Sequence, residues 1–208
     1  MVLPLPVPKA TAEDAVRFIN LEEYSGFFAD MAKGFPRPAL AGAAGGFSRT
    51  AAAPPAPLAV VDVGSFEASF VPTVADFARL DKRFRLPDGT WEKLPGYKNY
   101  GFAVFKLKAD QQNYHPMAFE FPRANPRQIF FPTVHIHDGE VHETADFDHE
   151  LYFQLADADF SPKRGWIESR LPAGMFMNIK QAHGLLDKEL HCYQKSVRGE
   201  QKNRDLVV

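Results

Sequence analysis

The sequence predicts a mainly β (α+β) fold: an antiparallel sandwich or open barrel with a few short helices. Three observations lead there. Strand-like apolar runs recur at LAVVDV (58–63), FEASFV (66–71) and GFAVFKLK (101–108), the pattern of chains with a buried sheet face. Glycine, proline and aspartate turns separate such runs, as in sandwiches and barrels. The 19 phenylalanines supply a dense aromatic core. They read as core and not as a base-stacking surface, because basic residues do not interleave with them.

Taken in order, residues 2–8 and 15–21 are extended. VLPLPVP carries Pro at alternate positions, which suits an edge strand or a polyproline segment and not a central strand, since Pro donates no ladder hydrogen bond. A helix follows from Asn20, which can cap it, with Glu23 three residues on. Leu21, Tyr24, Phe27, Phe28 and Met31 fall on one helical face, and Gly34 and Pro36 end it, Gly34 as a left-handed C′ residue. Residues 38–57 are Ala-, Gly- and Pro-rich and read as a flexible linker. The chain thus divides into an N-terminal strand–helix arm (1–37), a linker (38–57) and a β-rich domain (58–208). Val7 and residues 18–31 supply the arm's apolar contacts.

Within the β-rich part, Gly64-Ser65 is a hairpin turn between 58–63 and 66–71. Residues 73–80 offer a short helix. Further strands are expected at 115–121, 128–137, 140–144 and 150–155, and a last helix near 177–186.

Charge and cysteine content exclude several classes. Lys+Arg total 24 against Asp+Glu 26, a formal net charge of −2, so there is no electrostatic footprint for nucleic acid. No window approaches the ~20 apolar residues of a membrane helix, and membrane partners are not expected. One cysteine, Cys192, allows no internal disulfide and fits a reducing, cytoplasmic setting.

The informative stretch is FFPTVHIHDGEVHETADFDHELYFQ, residues 130–154, with four of the seven histidines. Asp138-Gly139 is a strong two-residue hairpin signal, because a type I′ turn needs positive φ at both central positions. That turn sets a register in which His137 opposes Glu140, Ile136 opposes Val141 and His135 opposes His142. Opposed residues share a face, so His135, His137, Glu140 and His142 lie together while Val134, Ile136 and Val141 enter the core. Imidazoles converging on one patch are expected to ligate a divalent transition metal: Zn, Fe, Cu or Mn. The expected metal ligands are His135, His137, His142 and His149. Asp146, Asp148 and His149 follow on a short loop. Glu140 and Asp148 are the candidate catalytic bases that would activate metal-bound water.

Two functional classes follow. One is a metal-dependent protein acting on or binding a small molecule. The other is a non-catalytic binding or structural module, whose histidine face meets solvent or another subunit. A concave pocket at the histidines separates the first from the second. His191-Cys192 does not make a nucleophilic pair, since strand neighbours point to opposite faces. His115 can approach the cluster if 115–121 pairs with 128–137.

Overall fold

The computed structural model describes residues 1–36, 58–81, 84, 89–109, 114–136, 141–156 and 165–208. The linker 38–57 and the Asp138-Gly139 turn, with His137 and Glu140, lie outside these residues. The described chain is mainly β, in antiparallel sheets with few short helices.

The largest sheet holds β1 (Val2–Leu5), β3 (Val61–Val63), β4 (Phe66–Val71) and β5 (Gly101–Leu107), in the order β1-β5-β4-β3. The proline-bearing β1 is at its edge, where Pro4 opposite Phe102 breaks no inner ladder. β3 and β4 form the expected hairpin, with Val63 opposite Phe66 and Gly64 at φ +57°. Strand alternation on β5 explains how this sheet is buried on both sides. Ala103 and Phe105 join Leu5, Phe66 and Phe70 in one core cluster. Phe102 and Val104 join Val71, Phe77, Leu80 and Tyr97 in another.

β2 (Arg17–Ile19) pairs with β6 (Ala118–Glu120), so that Phe18 meets Phe105 and Phe119 over the first cluster. This pairing takes β6 away from residues 128–137. Buried His115 therefore lies under the β3–β4 turn, where its Nε2 accepts the Ser65 N–H at 3.1 Å and its Nδ1 lies 2.9 Å from the Pro116 carbonyl.

The N-terminal helix is shorter than its apolar spacing predicts. A 3-10 turn at Glu22–Tyr24 precedes α1 (Phe27–Lys33), with Gly26 between them. Asn20 still serves the turn, accepting the Glu22 N–H at 2.9 Å. Gly34 ends α1 in the right-handed region, at φ −67°, not in the expected left-handed one. Its requirement is space: a Cβ there would sit 2.6 Å from the Phe176 ring. The expected helix near 177–186 is instead a series of turns, with His183 and Gly184 both at positive φ.

A three-stranded sheet has the order β8-β10-β9, from β8 (Thr144–Phe153), β9 (Ile167–Glu168) and β10 (Tyr193–Lys202). Residues 144–149 form strand, although their charge suggests a loop. Phe147, Leu151 and Phe153 are buried while Asp146 and Asp148 are exposed, the alternation of a strand with one wet face. Among the described residues of the expected strand 128–137, only β7 (Phe130–Phe131) forms, paired with β11 (Leu206–Val207). Pro132 has no N–H to continue the ladder, and the following backbone is taken up by side chains of the C-terminal segment.

Candidate functional site

Residues 132–136 are held without a ladder. Asn203 replaces a strand partner: its Oδ1 accepts the His135 N–H at 2.8 Å, and its Nδ2 donates to the carbonyls of His135 (2.9 Å) and His142 (3.1 Å). One residue earlier the carboxylate of Asp205 does the same work. Its Oδ1 accepts the N–H of Thr133 at 2.9 Å and of Val134 at 3.3 Å. Its Oδ2 accepts the Tyr97 hydroxyl at 2.5 Å. Burial pushes the Asp205 carboxyl above the ordinary aspartate range, against the pull of these donors. Burial and the adjacent carboxylate also raise the Tyr97 phenol, so it keeps its proton.

The rail formed by 132–136 is one wall of a cavity of about 700 Å³. Edge strand β1 gives it Val2, Leu3 and Pro4; the turns before β5 give Trp91, Leu94 and Tyr97; β5 gives Phe102. Trp91 lies 4.5 Å from Phe102 and 4.6 Å from Phe77 between ring centroids, so the aromatic cluster beside the sheet continues into the cavity wall. On the wall formed by the rail, His135 and Ile136 are joined by His149 of β8.

His135 and His149 are brought together. Their Nε2 atoms are 2.9 Å apart, a hydrogen bond in which one ring donates its Nε2–H to the lone pair of the other. Phe147 buttresses both rings: His135 stacks on it at 4.5 Å and 27°, and His149 meets it edge-on at 5.5 Å. Period-two alternation places His149 on the side of Phe147 and Leu151 and sends Asp148 the other way. Asp148 is 77% exposed and paired with Arg198 at 2.6 Å. Exposed His142 shares Asn203 with His135 through its backbone carbonyl, and no ladder joins the two segments among the described residues. The expected register, His135 directly opposite His142, is therefore absent there. Among the described residues no group of three or more His, Cys, Asp or Glu could hold a metal ion. His137 and Glu140 fall outside them.

Sequence reasoning missed Tyr97, Asn203 and Asp205. The last two sit in a short polar stretch that reads as solvated, and no local pattern reveals that they bond to residues some seventy positions earlier. The His191-Cys192 neighbours carry no nucleophile. Cys192 is buried and its thiol is pushed up to about 11, while His191 Nδ1 is 2.8 Å from the Ser169 carbonyl. No helix of the described residues is long and apolar enough to cross a membrane.

Compared with known proteins, the chain matches no family model, no curated protein and no solved structure.

Proposed function

We propose that this protein binds a small, largely apolar molecule in the cavity between β1, the 90–97 turns and the His135–His149 wall. The observation that carries this reading is the cavity itself. Its volume of about 700 Å³ lies within the ~300–1,000 Å³ of small-molecule sites, which pair apolar linings with a few convergent polar groups. Val2, Leu94, Phe102 and Val134 give the apolar part; Tyr97 and the two imidazoles give the polar part. A concave histidine wall favours a small molecule over a flat self-association surface.

The test uses N-phenyl-1-naphthylamine, an uncharged probe whose emission rises in apolar surroundings. It should bind at one site and quench Trp91, an effect lost in Trp91→Phe. Val134→Trp, which fills the cavity, should weaken binding by about tenfold or more, the loss of ~1.4 kcal/mol. Undiminished binding to a folded Val134→Trp protein would sink the reading.

A second reading retains the transition metal at the same wall. Two ligands at right angles on an ion, each bond ~2.0–2.1 Å, stand roughly 3 Å apart, close to the 2.9 Å between His135 and His149 Nε2. An ion would replace the shared proton, and its open positions would face the cavity. Metal analysis of untagged protein equilibrated with Zn, Cu, Fe or Mn tests it. One equivalent that is lost in His149→Ala supports it; no retained ion from any of the four defeats it.

A further inference from the structure

We infer that the cavity selects an uncharged ligand whose hydroxyl donates to the Tyr97 phenol oxygen, and discriminates against anions of the same shape. This rests on the small-molecule reading above and adds the chemical class. Among the described residues no lysine or arginine side chain lines the cavity, so a carboxylate or phosphate entering it would lose water without gaining a paired cation from them.

Two polar groups of the wall are turned on partners within the protein. The Tyr97 hydroxyl gives its one proton to Asp205 Oδ2 at 2.5 Å. His135 and His149 turn their Nε2 atoms on each other at 2.9 Å, so neither Nε2 is directed to the ligand. Behind Tyr97, the Asp205 carboxylate is fixed by the N–H groups of Thr133 and Val134, where its field opposes a second anion.

An acceptor remains. A phenol that donates its proton to a carboxylate still has lone-pair density on its oxygen, and that donation makes the oxygen a better acceptor. The same cavity is lined by the Trp91 and Phe102 rings and by Val2, Leu3 and Pro4 of β1. A ring-bearing alcohol or phenol matches this combination: rings to the aromatic wall, hydroxyl to Tyr97.

The experiment measures displacement of N-phenyl-1-naphthylamine from the intact protein at pH 8 by 2-naphthol, 2-methoxynaphthalene and 2-naphthoate, which share one ring system. The expected order is naphthol tightest and naphthoate at least about tenfold weaker. Tyr97→Phe should cost naphthol about five- to tenfold, the worth of one hydrogen bond, and leave 2-methoxynaphthalene unchanged. Retained N-phenyl-1-naphthylamine affinity shows that this variant is folded. If Tyr97→Phe does not fold, the order on the parent protein decides. Naphthoate equal to or tighter than naphthol overturns the inference, as does a folded Tyr97→Phe that keeps full naphthol affinity. In both cases bound N-phenyl-1-naphthylamine leaves the cavity reading standing. If that probe does not bind either, the cavity reading fails and the inference falls with it.

Discussion

Replacing Asn203 by Ala tests whether one side chain organises the candidate site. Its amide makes three hydrogen bonds, to the His135 N–H, the His135 carbonyl and the His142 carbonyl, at 2.8, 2.9 and 3.1 Å. Each is worth roughly 0.5–1.5 kcal/mol net. The groups left behind are only partly buried, so water re-satisfies some of them. The expected loss is therefore about 2–3 kcal/mol and not the upper limit of the three bonds. Urea unfolding measures it: with m near ~2–3 kcal/mol/M, the midpoint should fall by about 1 M. The same variant frees the rail that carries His135, so N-phenyl-1-naphthylamine affinity should fall in the protein that remains folded. Asn125→Ala is the control. Asn125 Oδ1 accepts the Arg127 N–H at 3.1 Å in an exposed turn, and its removal should cost about 0.5 kcal/mol or less, as for most surface changes. A loss for Asn203→Ala no larger than the control's would refute the idea that Asn203 stands in for a strand.

Other outcomes follow from the same contacts. The folded Asp205 carboxyl is raised above its unfolded value of ~3.9, so the native state binds the proton more tightly. Its contribution to stability therefore falls as pH rises from the unfolded value through the raised folded one. The stability of the parent relative to Asp205→Asn should decline across that interval in denaturant titrations at stepped pH; a relative gain with rising pH would contradict the assignment. Gly64→Ala should be markedly destabilising in thermal unfolding. Its Cβ would lie 2.3 Å from His115 Nε2 at φ +57°, whereas Gly89→Ala, at φ +79° with open space around it, should cost only the ~1–2 kcal/mol of the left-handed conformation. Cys192, with its thiol near 11, should react with iodoacetamide at neutral pH at least about a hundredfold more slowly than in urea, from the lower thiolate fraction alone. Comparable rates would show the thiol to be accessible.

What could be read in the sequence is local. The β3–β4 hairpin was legible because Gly64-Ser65 separates two runs that pair residue for residue. The edge position of β1 was legible in its prolines, since a missing N–H is a property of the residue itself. The aromatic core was legible in composition. The histidine stretch pointed to the right region, and His135 and His149 do meet. The stretch of β8 before residue 150 reads as a loop because Asp146 and Asp148 advertise solvent, although on a half-wet strand every second residue must face it.

Tertiary structure alone decided which groups share the cavity. β6 could pair with β2 or with 128–137, and hydrophobic pattern does not choose between partners of equal character; the sheet order did. The rail at 132–136 depends on Asn203 and Asp205, whose amide and carboxylate have the same chemistry whether they are solvated or aimed at a backbone. Tyr97 becomes a polar element of the site only because Asp205 arrives from 108 residues away. Periodicity specifies the face a residue presents, but contact between distant faces is set by which arrangement buries the most apolar surface while leaving every N–H and carbonyl a partner. The sequence by itself determined the mainly β class, the β3–β4 hairpin and the aromatic core; the cavity, and the chemistry on its walls, came from how the strands closed on one another.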